Sequence, residues 1–187
     1  MDILSAIDPL YAASGFAVGF IVGMTGIGGG SLMTPLLVLL FGVHPVTAVG
    51  TDLLYAAITK TVGTLVHGSK GTIDWRIVGR LAAGSVPTTA LTLFVLSRLN
   101  MNNAAAAGLV TTTLGGALVL TSLAVLFRDR ILAAYAARVG ALGQSTTAAL
   151  TVATGALLGF LVALSSVGAG AIGVTALVLL YPAMRDR

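Results

Sequence analysis

No cysteine and no glutamate occur among the 187 residues, and only 9% of the chain is charged. The lack of cysteine removes disulfides and thiolate metal sites from consideration. The scarcity of charge excludes more. A soluble domain carries about 25% charged residues. A chain that is 57% hydrophobic, with a mean hydropathy of +1.03, cannot cover itself with polar groups in water. The expected fold class is an all-α, polytopic integral membrane protein lying in the lipid bilayer. Eight Arg and two Lys outnumber six Asp and give a net charge of +4. Most of these basic residues fall in short connectors between apolar runs, as the positive-inside bias produces. The basic balance therefore implies no nucleic-acid partner. The opening "MDILSAIDPL" has two Asp and no Lys or Arg. A cleaved signal peptide starts basic, so the mature chain is expected to begin here.

A membrane helix needs about 20 apolar residues. Five hydrophobic segments qualify: Leu10–Gly42, Val46–Val66, Ile77–Ser97, Ala104–Phe127 and Thr146–Tyr181. The first and last are too long for one straight crossing and too short for two, and each has a glycine cluster near its middle. Between the segments, "HGSKGTIDWR" brings a tryptophan suited to the membrane interface, "RLNMNN" forms a turn, and Arg128–Ser145 has room for a short interfacial helix.

An internal repeat is expected. Shifted by 140 positions, Gly15–Phe41 lies on Gly155–Tyr181 without a gap, with identities at Gly15/Gly155, Gly19/Gly159, Phe20/Phe160, Gly28/Gly168 and Gly30/Gly170. The reading is a single transmembrane domain over 1–187, with a first repeat at 10–127 and an incomplete second repeat at 146–187. Such repeats are common in secondary transporters.

The segment "GMTGIGGGSLMTP" (Gly23–Pro35) places Gly26, Gly28, Gly29 and Gly30 where a helix should cross the bilayer. Gly15, Gly19 and Gly23, spaced by four, fit a helix-packing stripe. Three consecutive glycines point to different faces, and no packing stripe explains them. They predict a helix broken at mid-membrane, with a second half-helix starting near Ser31. Its first N–H groups lack intrahelical partners and carry partial positive charge, which makes an anion site without a basic side chain. Thr25, Ser31 and Thr34 add hydroxyls. A phosphate-binding P-loop is excluded, since no Gly-Lys-Ser/Thr follows. If the broken segment re-enters, the N-terminus and the Gly42–Pro45 turn share one side. If it crosses, the N-terminus joins the basic connectors carrying Lys70, Arg76 and Arg80, and Arg128, Arg130 and Arg138. Charge does not choose between the two.

The second segment carries Asp52, Tyr55, Thr59, Lys60, Gly63 and His67 at steps of three and four, one helical face. Ionisable residues inside a membrane mark a functional site by default. Asp52 and Lys60 stand about 12 Å apart along the axis, too far to bridge, so they line a path or meet other helices. His67 borders the connector and also suits the interface. Lys60 could snorkel. Asp52 faces either the interface or the site, with Thr51 as a hydrogen-bonding neighbour.

Together, "GFxxGxxxGxGGGxxxxPLLVLL", "AVGTDLL" and "HGSKGTIDW" resemble the sulfite exporter TauE/SafE family of bacterial membrane proteins. The resemblance covers Gly15–Leu96 and returns at Gly155–Tyr181. It implies an anion transporter for sulfite, sulfonates or related sulfur oxyanions, in the bacterial inner membrane. It marks Gly26, Gly28, Gly29, Gly30 and Pro35, then Gly50, Thr51 and Asp52, then Asp74 and Trp75. Many relatives carry Ser where this chain has Asp52, and an acid there points to proton coupling.

The candidate substrate-binding set is therefore Gly26, Gly28, Gly29, Gly30, Ser31, Thr51, Asp52, Gly168 and Gly170. Asp52, Lys60 and His67 are candidates for coupling or the pathway. No cofactor, catalytic residue or metal ligand is expected. An intramembrane aspartyl protease needs two intramembrane Asp and one is seen; a serine protease motif such as Gly-x-Ser-Gly is absent. A non-transporting membrane subunit or truncated gene product is the alternative. A homo-oligomer stays open.

Overall fold

The computed structural model describes residues 9–25, 28–98, 104–140 and 142–182. They form helices joined by short connectors, with no strand among the described residues. Helix α1 (Pro9–Thr25) ends at the glycine cluster; a single 3-10 turn (Gly29–Ser31) leads into the short α2 (Met33–Leu39). Four longer helices or helical segments follow: α3 (Pro45–Ser69), α4 (Trp75–Arg98), α5 (Ala104–Leu126) and α6 (Arg128–Gly140). The second broken pair is α7 (Gln144–Ser165) and α8 (Ala171–Leu180). The all-α membrane class and both breaks at glycine clusters are thus present as expected. So is the short helix in the connector after Phe127.

Local chemistry sets the ends. Pro45 starts α3, where its missing N–H costs nothing. Asp74 caps α4: its Oδ1 accepts the N–H groups of Arg76 (3.0 Å) and Ile77 (3.3 Å). Helix α4, the Ala107–Leu126 stretch of α5, and α7 are long and apolar enough to cross a membrane. At 25 residues α3 is as long, but Asp52 and Lys60 lower its hydropathy. Large apolar side chains such as Phe16, Leu39 and Leu126 face outward, as suits a chain whose solvent is lipid.

Both broken segments fold back on themselves. Tyr11 near the start of α1 stacks on Phe41 just after α2, with ring centroids 4.1 Å apart. Thr151 in α7 meets Tyr181 just after α8 at 2.8 Å. Positions 11 and 151, and 41 and 181, are each 140 apart. The Thr151 hydroxyl donates to the Thr147 carbonyl, so Tyr181 is the donor to Thr151 and in turn accepts from Arg80 Nη1 at 3.1 Å. Phe41 lies just before α3, whereas Arg80 lies early in α4, past the far end of α3. With about 37 Å of helix between those ends, the two hairpins open at opposite ends and point towards each other. Of the two topologies open in the sequence, the first broken segment takes the returning one.

The tightest helix pair is α4 with α7, which run parallel. A Cβ on Gly84 would strike the Val152 carbonyl, one on Gly155 the Leu81 carbonyl, and one on Gly159 would lie 2.6 Å from the Ser85 carbonyl oxygen. Thr89 also donates to the Gly159 carbonyl at 3.2 Å. Small residues allow this backbone contact, which is how helices associate where lipid supplies no hydrophobic drive. The packing expected of Gly15, Gly19 and Gly23 is not made in α1 among the described residues: a Cβ on Gly15 or Gly23 would meet no atom of theirs within 4 Å, and one on Gly19 would meet only the Tyr55 hydroxyl at 3.4 Å. Gly155 and Gly159, the partners of Gly15 and Gly19 in the repeat alignment, are the ones that pack. The reason is local, since α1 borders an open crevice where α7 borders α4.

Candidate functional site

The crevice has a volume of about 960 Å³. It runs from the connector end of α3, at His67, Thr72 and Trp75, to the point where the two broken segments meet. One wall is α1, through Val18, Gly19, Val22 and Gly23. The other is the polar face of α3, through Tyr55, Thr59, Lys60, Gly63 and His67. Its floor is Gly28–Ser31 from the first break and Ser166–Gly170 from the second.

The floor depends on glycine. Gly28 has φ +97° and Gly168 φ +111°, both in the region that side chains avoid. A Cβ on Gly28 would lie 3.4 Å from Gly170 Cα, and one on Gly30 would run into the Ser166 carbonyl. The two breaks therefore touch backbone to backbone. Each is followed by a helix start whose first N–H groups lack helical partners.

The hydroxyls of the first break are engaged inside the fold. Ser31 Oγ donates to the Gly28 carbonyl at 2.8 Å and braces the turn. Thr25 Oγ1 donates to the Ile21 carbonyl at 2.8 Å, and Thr34 Oγ1 to Asp52 Oδ2 at 2.8 Å. A hydroxyl has one proton to give, and each of these has already given it inside the fold.

Asp52 is fully buried and lies behind the glycine turn rather than on the crevice wall. Cβ atoms built on Gly29 and Gly30 would stand 3.8 Å from its Oδ1 and 3.1 Å from its Oδ2. Its hydrogen-bonding neighbour is Thr34, not Thr51: Thr51 is exposed, bonds the Thr47 carbonyl at 2.9 Å, and does not line the crevice. Lys60 acts on Asp52 only through space. Lys60 and His67 both line the crevice, and His67 Nδ1 lies 3.3 Å from Thr72 Oγ1. Among the described lining residues there is no carboxylate. Gly26 lies outside the described residues. Gly28, Gly29, Gly30, Ser31, Gly168 and Gly170 all reach the floor. Ser166 was not singled out from sequence, although it is the repeat counterpart of Gly26. It takes φ +58°, an unusual value for a residue with a side chain.

The chain matches the family model described as "Sulfite exporter TauE/SafE" over residues 11–185. It is 36% identical over 170 residues to "Probable membrane transporter protein YjnA" of Bacillus subtilis (strain 168), covering 89% of this chain and 66% of the relative. A second Bacillus subtilis protein, "Probable membrane transporter protein YunE", is 38% identical over 73 residues, covering 39% of this chain and 27% of the relative. A "Probable membrane transporter protein" of Xylella fastidiosa (strain Temecula1 / ATCC 700964) is 38% identical over 77 residues, covering 37% of this chain and 30% of the relative. The chain thus spans less than two thirds of the length of these relatives. No solved structure matches it. With the matched residues running through both broken hairpins and the polar face between them, the chain belongs to the sulfite exporter TauE/SafE family.

Proposed function

We propose that this chain moves small anions, such as sulfite, sulfonates or related sulfur oxyanions, across the bacterial inner membrane as a multi-pass transporter. One observation carries the reading. The crevice offers a cation and backbone N–H groups while the nearby carboxylate is walled off behind the glycine turn. Lys60 is the charged side chain on its wall, and His67 can join it when protonated. Helix starts at the floor add fixed positive charge that costs no reorganisation. Irregular backbone at this depth fits a segment that lines a cavity. The family description supports the sulfur oxyanion.

In this reading the connectors with Lys70, Arg76 and Arg80, and with Arg128 and Arg130, face the cytoplasm. The crevice then opens to the cytoplasm, and the Gly42–Pro45 turn lies on the far side. The two hairpins open the first repeat (10–127) and the second (146–187) as inverted copies of one motif, and the substrate meets them where their tips cross. Asp52 serves coupling rather than direct anion contact. The chemistry is binding and passage, not catalysis.

Flux of radiolabelled sulfite in proteoliposomes tests this. Native protein should move sulfite faster than acetate, and Lys60→Met should cut that flux about tenfold, the loss of one charge-assisted contact. Equal flux in native and Lys60→Met protein would overturn the anion path. No flux from a folded, inserted native chain would select the second reading, a non-transporting membrane subunit.

A further inference from the structure

Asp52 poses a problem that the anion path does not solve. Its side chain is completely buried, and Oδ1 has no hydrogen-bond partner among the described residues. Oδ2 has one, the Thr34 hydroxyl. Lys60, eight residues on in the same helix, is about two turns along α3 and exposed, and no ion pair joins it to Asp52 among the described residues. What faces the carboxylate instead is the C-terminal end of α7. Ser166 caps that helix, with its N–H bonded to the Val162 carbonyl at 2.8 Å. Its carbonyl presses on Gly30, and its side chain turns to Asp52. The last carbonyls of a 22-residue helix form a negative pole. A carboxylate and a negative helix end are thus held together in a dry place, where their repulsion is strong.

We propose that Asp52, the Ser166 carbonyl and hydroxyl, and Thr34 Oγ1 form a site for one monovalent cation of sodium's size. This deepens the transport reading, on which it rests, by naming the coupling ion. A proton on Oδ1 would neutralise the acid and leave the helix end facing it. A cation answers both, and hard oxygen donors from α2, α3 and α7 suit it. Calcium takes about six to eight oxygen ligands and magnesium usually keeps several waters, and neither demand suits one carboxylate among a few packed oxygens. The close contact of Gly30 with Ser166 brings the Ser166 carbonyl up to Asp52, and oxygens converging this closely suit sodium better than the larger potassium. Helix ends and unwound carbonyls of broken helices coordinate sodium in other transporters in the same manner. Binding here would tie the tip of the second hairpin to α3 and to the first half-helix, so the cation would set whether the floor of the anion crevice is closed.

Thermal unfolding of the purified full chain in detergent, together with equilibrium binding of ²²Na⁺, tests the site. With sodium chloride well above its Kd, the midpoint should rise about 3 °C or more over equimolar choline chloride, with a smaller rise in potassium chloride. Asp52→Asn should abolish both the shift and saturable ²²Na⁺ binding. Should Asp52→Asn fail to fold, Thr34→Val keeps the charge and should weaken sodium binding. Equal midpoints in sodium and choline, or full sodium binding in Asp52→Asn, would overturn the site. A midpoint that follows pH and ignores sodium would overturn it in favour of a proton. Sulfite flux without sodium binding would sink this site alone, and sodium binding without anion flux would sink the transport reading alone.

Discussion

The two broken hairpins share a sequence plan but live in different surroundings. In the second, Thr151, Gly155, Gly159, Ala163, Leu164 and Ser165 are buried, and α4 lies against the small residues. In the first, only Val18 of α1 is buried; Gly19 looks onto the crevice, and a Cβ on Gly15 would meet no atom of the described residues. The tips behave alike, since Gly28 and Gly168 both take positive φ. The contrast separates two uses of glycine. At the tip it permits a backbone shape. Along the arm it permits close approach, and whether that is used depends on what stands opposite.

The largest expected effect tests the arms. Gly155→Leu forces carbons into the Leu81 backbone, and we expect a loss of about 3 kcal/mol or more in detergent unfolding. Gly15→Leu meets open space and should stay within about 0.5 kcal/mol. A comparable loss in both would break the contrast and mean that α1 is covered in the working molecule. Next come the tips. Gly28→Ala and Gly168→Ala should each cost about 1–3 kcal/mol, because a side chain is forced into a positive-φ shape that glycine alone adopts freely. A large difference between them would show that the tips are not equivalent. The smallest effect concerns the hairpin mouths. Tyr181→Phe removes the hydroxyl shared by Arg80 and Thr151 and should cost about 1 kcal/mol. Phe41→Leu removes the stack on Tyr11 and should cost slightly less, about 0.5–1 kcal/mol. The reverse order would mean that the aromatic mouth is the stronger clasp.

Much of this plan is legible in the residues. Segment length plus three consecutive glycines predicts the first break, and the repeat alignment of Gly28 and Gly30 with Gly168 and Gly170 carries the expectation to the second. Helical spacing predicts the polar face of α3, and Tyr55, Thr59, Lys60, Gly63 and His67 do share the crevice wall. What sequence cannot supply is the partner across space. Thr51 adjoins Asp52 in the chain, but successive helical residues point to different faces, and Thr34 comes from another element to take the bond. The stripe Gly15–Gly19–Gly23 carries the right spacing for packing, yet spacing says nothing of what stands opposite. Ser166 was hidden because a serine gives no sign that its backbone turns left-handed.

The crossing of the hairpin tips also has an electrical side. Water in the crevice would extend one aqueous phase down to Gly30, next to Asp52. Asp52 lies seven residues into α3, which is about 11 Å from the helix start. The full voltage would then fall over this short stretch instead of the roughly 30 Å of the hydrocarbon core. An elementary charge moved across the crossing would do nearly all its electrical work there, about 2.3 kcal/mol per 100 mV. The glycine turns would thus serve as the insulator of the molecule, thin enough that a small movement of backbone changes which side holds the charge.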